Sequence, residues 1–398
     1  MNDSPLWSIA ILGASNVIPW LSIISVTDFF QSKYPDGETQ YVFPFLNFSC
    51  LLLTTLLNMK FGSRFGLVWR VFVPNSLAVL LLILISQLDN LVYIYAAFAL
   101  LATCVATSQS TLYGVAGSYR DPHKFIVALE SGKGAAGVYT IIIRIFCKLW
   151  VSDVTIAMTV FFSTSAIFVF GSLFSYVVLA ADLRRNEGKK GKCKCKGKGK
   201  GKCKGKGKVD EESGLLRRKP AARMSRTIHE IILPAFAVFS FFMICISLFP
   251  GMATSLRSRT FNLGTYFPII IVMVYNVCDL IGKRLPNCKK IESGAGLLIL
   301  LFLVLLVIPF MVLEKLADED HLGSAGGGKF FRNDVVKLGT VMALGVLTGY
   351  GTTSALILGP EYAPEEKRAF ASQFMSVCLI CGLFCGSFVG LLLDEELS

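Results

Sequence analysis

A few ionisable and amide side chains sit inside long apolar runs of this sequence, where a charge is costly unless it meets a partner or a polar guest. In the stretch Tyr275 to Arg284, Asn276 and Asp279 stand one helical turn apart and Lys283 follows Asp279 by four positions. A helix would therefore put carboxylate and ammonium on one face, with the amide close by. A second run holds Glu130, Lys133 and Arg144, the last deepest among Ile and Phe neighbours; a third holds Gln109 and Ser110; the first holds Trp20 and Asp28. Such groups can recognise a polar solute, gate a path, or, at Asp28, Glu130 and Asp279, carry a proton. Blander roles stand beside these. Asp279 and Lys283 form a helix-end ion pair with the lysine reaching for water, Gln109 makes an interhelical hydrogen bond of about 0.6 kcal/mol, and Trp20 anchors at the interface. The position of Trp20 midway along its run weakens that last role.

Covalent catalysis lacks its parts. The three histidines, His123, His229 and His321, lie at the ends of runs or in loops, and no HExxH, GxSxG or P-loop string occurs. Cys193, Cys195 and Cys203 sit in a Lys-Gly repeat without nearby histidine, and most other cysteines lie in apolar stretches as small hydrophobes. No enzyme, metal site or cofactor is expected.

The elements that must position these groups follow from composition. The 398 residues are 54% hydrophobic and 17% charged, against about 45–50% and about 25% in soluble domains. This excludes a soluble enzyme, a disordered tail and a secreted disulfide scaffold. Apolar runs of membrane-spanning length fall at Leu6–Phe30, Tyr41–Met59, Phe65–Ser86, Leu91–Gly117, Phe125–Lys148, Val154–Ala181, Ile228–Pro250, Thr265–Ile281, Gly294–Leu313, Asp334–Leu358 and Phe370–Leu393. The expected fold is an all-α polytopic membrane protein with 11 transmembrane helices, because open strands would leave backbone groups unsatisfied in lipid.

The net charge of +12 is local: between Leu183 and Thr227 lie 18 Lys+Arg and 4 Asp+Glu, and the remainder carries −2. That removes the case for a nucleic-acid-binding surface. The expected organisation is an N-terminal six-helix bundle over 1–182, a Lys/Gly-rich disordered cytoplasmic loop over 183–227, and a C-terminal five-helix bundle over 228–398. The loop reads as a solvated linker, and as a segment that docks on anionic inner-leaflet lipid at about 1 kcal/mol per nearby basic residue. Basic residues in the short loops add to the same side, which places the N-terminus in the cytoplasm and the C-terminus outside. No basic n-region or cleavage site precedes the first run, so it is expected to remain in the mature protein. Gly114, Gly117, Gly132, Gly134, Gly137, Gly345, Gly349 and Gly351 permit close helix approach, and Pro19, Pro250 and Pro268 permit kinks, as a rocking two-bundle carrier requires.

Taken together, these motifs resemble the equilibrative nucleoside transporter family over most of the chain. Pro19-Trp20, followed by Thr27-Asp28-Phe29-Phe30, resembles the family's PW…YF element in helix 1. The stretch from Gln109 to Gly114 resembles QGSxxG in helix 4, and Ser131 to Gly137 is similar to SGQGxAG in helix 5. Ser247 to Pro250 matches the helix 7 FP element, and Tyr275 to Lys283 looks like NxxDxxGR in helix 8. Several of these blocks look most like plant members.

The resemblance implies a 6+5 two-bundle, major-facilitator-like arrangement and a nucleoside substrate, with nucleobases as a second class. It implies that Trp20, with Ile24 one turn on, packs near the base, that Gln109 bonds the base edge, and that Asp279 accepts from ribose hydroxyls beside Asn276 and Lys283. Two departures stand out: the family's helix 8 arginine is Lys283, followed by Arg284 as a substitute candidate, and its helix 5 glutamine is Lys133. The expected carrier is a monomer, driven by the substrate gradient or by protons, in the plasma membrane first and a vacuolar or other internal membrane second. A carrier of another small polar solute such as a sugar, and a non-transporting scaffold or receptor, are the alternatives.

Overall fold

The computed structural model describes residues 3–26, 30, 33–34, 39–151, 153–195, 222–319 and 326–397. No strand occurs among them. The long helices are α1 (Ser4–Ile24), α2 (Thr39–Phe61), α3 (Val73–Gln87, entered through a π-helical turn at Val68–Phe72), α4 (Leu91–Ser118), α5 (Pro122–Trp150), α6 (Val154–Cys195), α7 (Ala222–Leu248), α8 (Phe267–Arg284), α9 (Gly294–Asp318, broken by a turn at Leu306), α10 (Asp334–Tyr362) and α11 (Arg368–Leu397). Local chemistry sets several starts. The side chains of Asn90 and Asn333 each accept the backbone N–H two residues on, at 2.9 Å, satisfying a donor that the first turn leaves free. Pro122 opens α5, where its missing N–H costs nothing.

Ten helices among the described residues are long and apolar enough to cross a membrane. The expected eleventh, α8, is not among them, because its eighteen residues hold Asp279, Lys283 and Arg284. Two other expectations shift. The first helix ends at Ile24 rather than Phe30, and Asp28 lies outside the described residues. Helix α6 continues to Cys195, into the stretch expected to be disordered, since Arg, Lys and Glu are good helix formers and an interior Gly costs only about 1 kcal/mol. Residues 196–221, with Cys203 and most of the Lys-Gly repeat, and His321 lie outside the described residues.

Burial runs opposite to that of a water-soluble domain. Leu53, Ile167, Phe170, Phe174 and Phe302 are at least 60% exposed, while Glu130, Asp279, Lys283 and Lys337 are buried. A lipid-facing exterior around a polar interior produces this pattern. Helix α1 packs on α5 and α6, α4 on α2 and α3, α7 on α10 and α11, and α8 on α10. The first six helices meet the last five where α5 contacts α8 and α10 and where α2 and α4 contact α11. Glycine allows the closest of these approaches. A Cβ at Gly349 of α10 would lie 2.5 Å from the Asp279 carbonyl oxygen of α8.

Candidate functional site

A cavity of about 770 Å³ lies between the two sets of helices. Its lining runs from Glu130, Asp279 and Lys283 toward Ser25 at the end of α1, Arg144 on α5, Thr254 beyond α7, and Pro268 at the start of α8. These last four lie on the face opposite the α6–α7 connection. On the connection side the seam is tight: a Cβ at Gly114 of α4 would lie 2.7 Å from the Gln373 amide of α11, and one at Gly134 of α5 would lie 3.1 Å from Leu280 Cα of α8. There too the His123 ring nitrogen hydrogen-bonds the Pro286 carbonyl at 3.2 Å.

Helix α1 supplies Trp20 and Ile24 to the wall. The Trp20 ring lies against Phe48 of α2 at 5.2 Å and Phe98 of α4 at 6.4 Å, which leaves a fixed aromatic surface beside the cavity. Gln109 of α4 and Asn276 of α8 both line the cavity, and among the described residues neither amide has a hydrogen-bond partner. Gln109 is buried and Asn276 half-buried, and an amide so placed without a protein partner calls for water or a ligand. The two amides are therefore disposed for a guest.

Two ion pairs form the closed end. Lys283 Nζ lies 2.6 Å from Asp279 Oδ2 on α8. On α5, Lys133 Nζ lies 3.3 Å from Glu130 Oε1 and donates to the Tyr113 hydroxyl of α4 at 2.5 Å, and Tyr113 in turn donates to Glu130. The two pairs line the same end of the cavity, one on each side of the α5–α8 seam. An aromatic face, two open amides and paired charges can hold a flat, neutral, polar-edged solute.

A sequence profile of nucleoside transporters matches residues 95–394, most of the chain. The chain belongs to the equilibrative nucleoside transporter family. That is a transporter family, not an enzyme family. Equilibrative nucleotide transporter 8 of Arabidopsis thaliana is 23% identical over 396 residues, covering 96% of this chain and 92% of its own length. Equilibrative nucleotide transporter 1 of the same plant is 25% identical over 397 residues, covering 95% and 83%. Equilibrative nucleoside transporter 3 of Rattus norvegicus is 22% identical over 432 residues, covering 96% and 87%. Among solved structures, the major-facilitator proton:xylose symporter XylE superposes with a TM-score of 0.65 at 12% identity, covering 100% of this chain and 90% of that one. This nucleoside transporter family member thus has a major-facilitator-like fold.

Within this family member, Trp20, Ile24, Gln109, Asn276, Asp279 and Lys283 all line one cavity, together with Glu130, Lys133 and Arg144. Arg284 does not: it is exposed and lines no part of the cavity, because the next position on a helix turns about 100° from Lys283. Asp28 lies outside the described residues. Sequence reasoning missed Asn16, one turn before Trp20, whose amide donates to Ser108 at 3.1 Å while its carbonyl oxygen is buried without a partner. The signal was available, since Asn16 is a polar residue in an apolar run like Gln109. It also missed Tyr113, which reads as an ordinary core aromatic, and the contact of Cys245 Sγ with the Tyr275 hydroxyl at 2.7 Å.

Proposed function

We propose that this protein carries nucleosides, and nucleobases as a second class, across a bilayer by alternating access. The observation that carries this is the convergence on one cavity of Trp20, two amides without protein partners (Gln109 and Asn276) and the Asp279–Lys283 pair. A nucleoside offers a flat apolar face, amide-like edges and a diol, which these groups answer in turn. The volume of about 770 Å³ falls in the range of small-molecule sites.

In this reading α8 is the eleventh span, its charges tolerated because they face the cavity rather than lipid. Residues 1–182 and 228–398 act as rocking bundles around the site, and the basic 183–227 segment is cytoplasmic, where anionic lipid attracts it. The N-terminus is then cytoplasmic and the C-terminus outside, the cavity opens outward, and the plasma membrane is the first address. The carrier works as a monomer.

The test is saturable uptake of radiolabelled adenosine and uridine by cells that lack their own carriers. Unlabelled nucleosides should compete and glucose should not. Competition by glucose alone would replace the nucleoside reading with a sugar carrier.

A further inference from the structure

We infer that His123 is a pH-sensitive latch on the closed side of this carrier: its imidazolium form holds the seam shut and slows opening toward the α6–α7 connection, an inference that rests on the alternating-access reading. His123 lies half-buried in the first turn of α5. Its Nε2 hydrogen-bonds the Pro286 carbonyl at 3.2 Å, in the 3₁₀ turn Leu285–Asn287 that follows α8. A carbonyl only accepts, so Nε2 carries the hydrogen and Nδ1 is the nitrogen left to take a proton. Each end of this bond is fixed in its own set of helices. Tyr119 stacks on Phe125 at 3.6 Å and donates to Asp182 of α6 at 3.0 Å, which ties down the start of α5. Tyr350 of α10 donates to the Lys289 carbonyl at 2.8 Å, and Lys290 pairs with Glu361 at 2.8 Å, which ties down the segment after Pro286. The bond must therefore break when the two sets part on this side.

Only the surroundings supplied by the other set of helices differ between a closed and a parted seam, so they alone shift the equilibrium. Arg120, Asp121 and Lys124 accompany His123 in both states, the last two as a 3.3 Å ion pair, and so does the N-terminal dipole of α5. The far side supplies the Pro286 carbonyl and the carbonyl end of α8, both of which favour a cation. It also supplies Arg284, Lys289 and Lys290, all exposed, where water and salt screen them, and Lys290 is already paired. Lys283 is held inside by Asp279 at 2.6 Å. An imidazole changes charge between about pH 5 and 8, and a hydrogen bond from an ionised donor is roughly twice as strong as a neutral one. Acid on this face thus adds a proton at Nδ1, strengthens the Nε2–H bond to Pro286 and favours the state open on the other face. No proton is carried across with the solute. The latch sets the rate and leaves the final solute ratio alone.

The experiment uses the full chain in proteoliposomes of one orientation and follows counterflow of tritiated uridine with the pH on each face set independently. Acidifying the connection face from about pH 8 to about pH 6 is expected to slow the wild type about fivefold. The same change on the open face should leave the rate unaltered. His123→Gln keeps a side-chain donor without a titrating ring and should stay at the fast rate at both pH values. His123→Lys is charged throughout and should stay slow at both. Unchanged melting temperatures in detergent establish that the two variants are folded. A wild-type rate that ignores acid on the connection face, an acid response that survives in His123→Gln, or a His123→Lys rate as fast as that of His123→Gln overturns the inference. Absence of wild-type uridine counterflow at every pH instead overturns the nucleoside reading.

Discussion

Gly137 of α5 abuts the side chain of Asn276 on α8, so closely that a Cβ at 137 would overlap the Asn276 amide. The glycine thus holds open the place of an amide that belongs to the other set of helices. Overpacking a close contact costs about 1–3 kcal/mol. Gly137→Ala should displace the amide and lower uptake by about tenfold, with little loss of protein from the membrane. Normal uptake by that variant would mean that Asn276 has room to move and is not positioned by Gly137.

Asp279 and Lys283 are both buried, so removing one partner strands the other; breaking a buried pair costs about 3–5 kcal/mol. Asp279→Ala should therefore lower both thermal stability in detergent and uptake. The double variant Asp279→Leu with Lys283→Met removes both charges and should regain stability while uptake stays absent. Recovery of uptake by the double variant would show that the pair serves packing alone.

Gln109 presents the reverse case. With no protein partner for its amide, Gln109→Leu should leave the melting temperature unchanged. Its loss should be confined to solute binding, raising KM for nucleosides about tenfold for about 1.4 kcal/mol. A lowered melting temperature with unchanged KM would identify a structural hydrogen bond instead.

The span pattern was legible because a bilayer requires long apolar runs, and several of the groups that interrupt those runs line one cavity, though Ser110 and Arg284 do not. Trp20, Gln109, Asn276, Asp279 and Lys283 come together from three helices, although the sequence shows only their separate positions. What it hid was direction. Arg284 and Lys283 are neighbours in sequence with equivalent charge, and only the helical rotation separates a cavity residue from an exposed one. Tyr113 was invisible for a related reason, since its bridging of Glu130 and Lys133 depends on how α4 lies on α5. The Asp318–Lys337 cluster was missed because its members lie at run ends, where charges are ordinary.

That cluster supplies a test of stability without transport. Lys337 is completely buried on α10, 2.7 Å from Asp318 Oδ1 of α9, and it donates also to the Arg257 carbonyl at 2.7 Å. Asp318 Oδ2 accepts the Arg257 N–H at 2.8 Å, while Asp334 accepts from the Ser258 hydroxyl and from the backbone N–H groups of Arg259, Thr260 and Phe261. Together they tie the segment before α8 to α9 and α10, outside the cavity lining. Asp318→Ala leaves the buried lysine uncompensated and should cost about 3–5 kcal/mol, read as a lowered melting temperature in detergent. Because none of these groups touches the cavity, KM for nucleosides should stay within about twofold in the protein that remains folded. An unchanged melting temperature would show that water already compensates Lys337, and a tenfold rise in KM would show that the α7–α8 segment acts on the solute site.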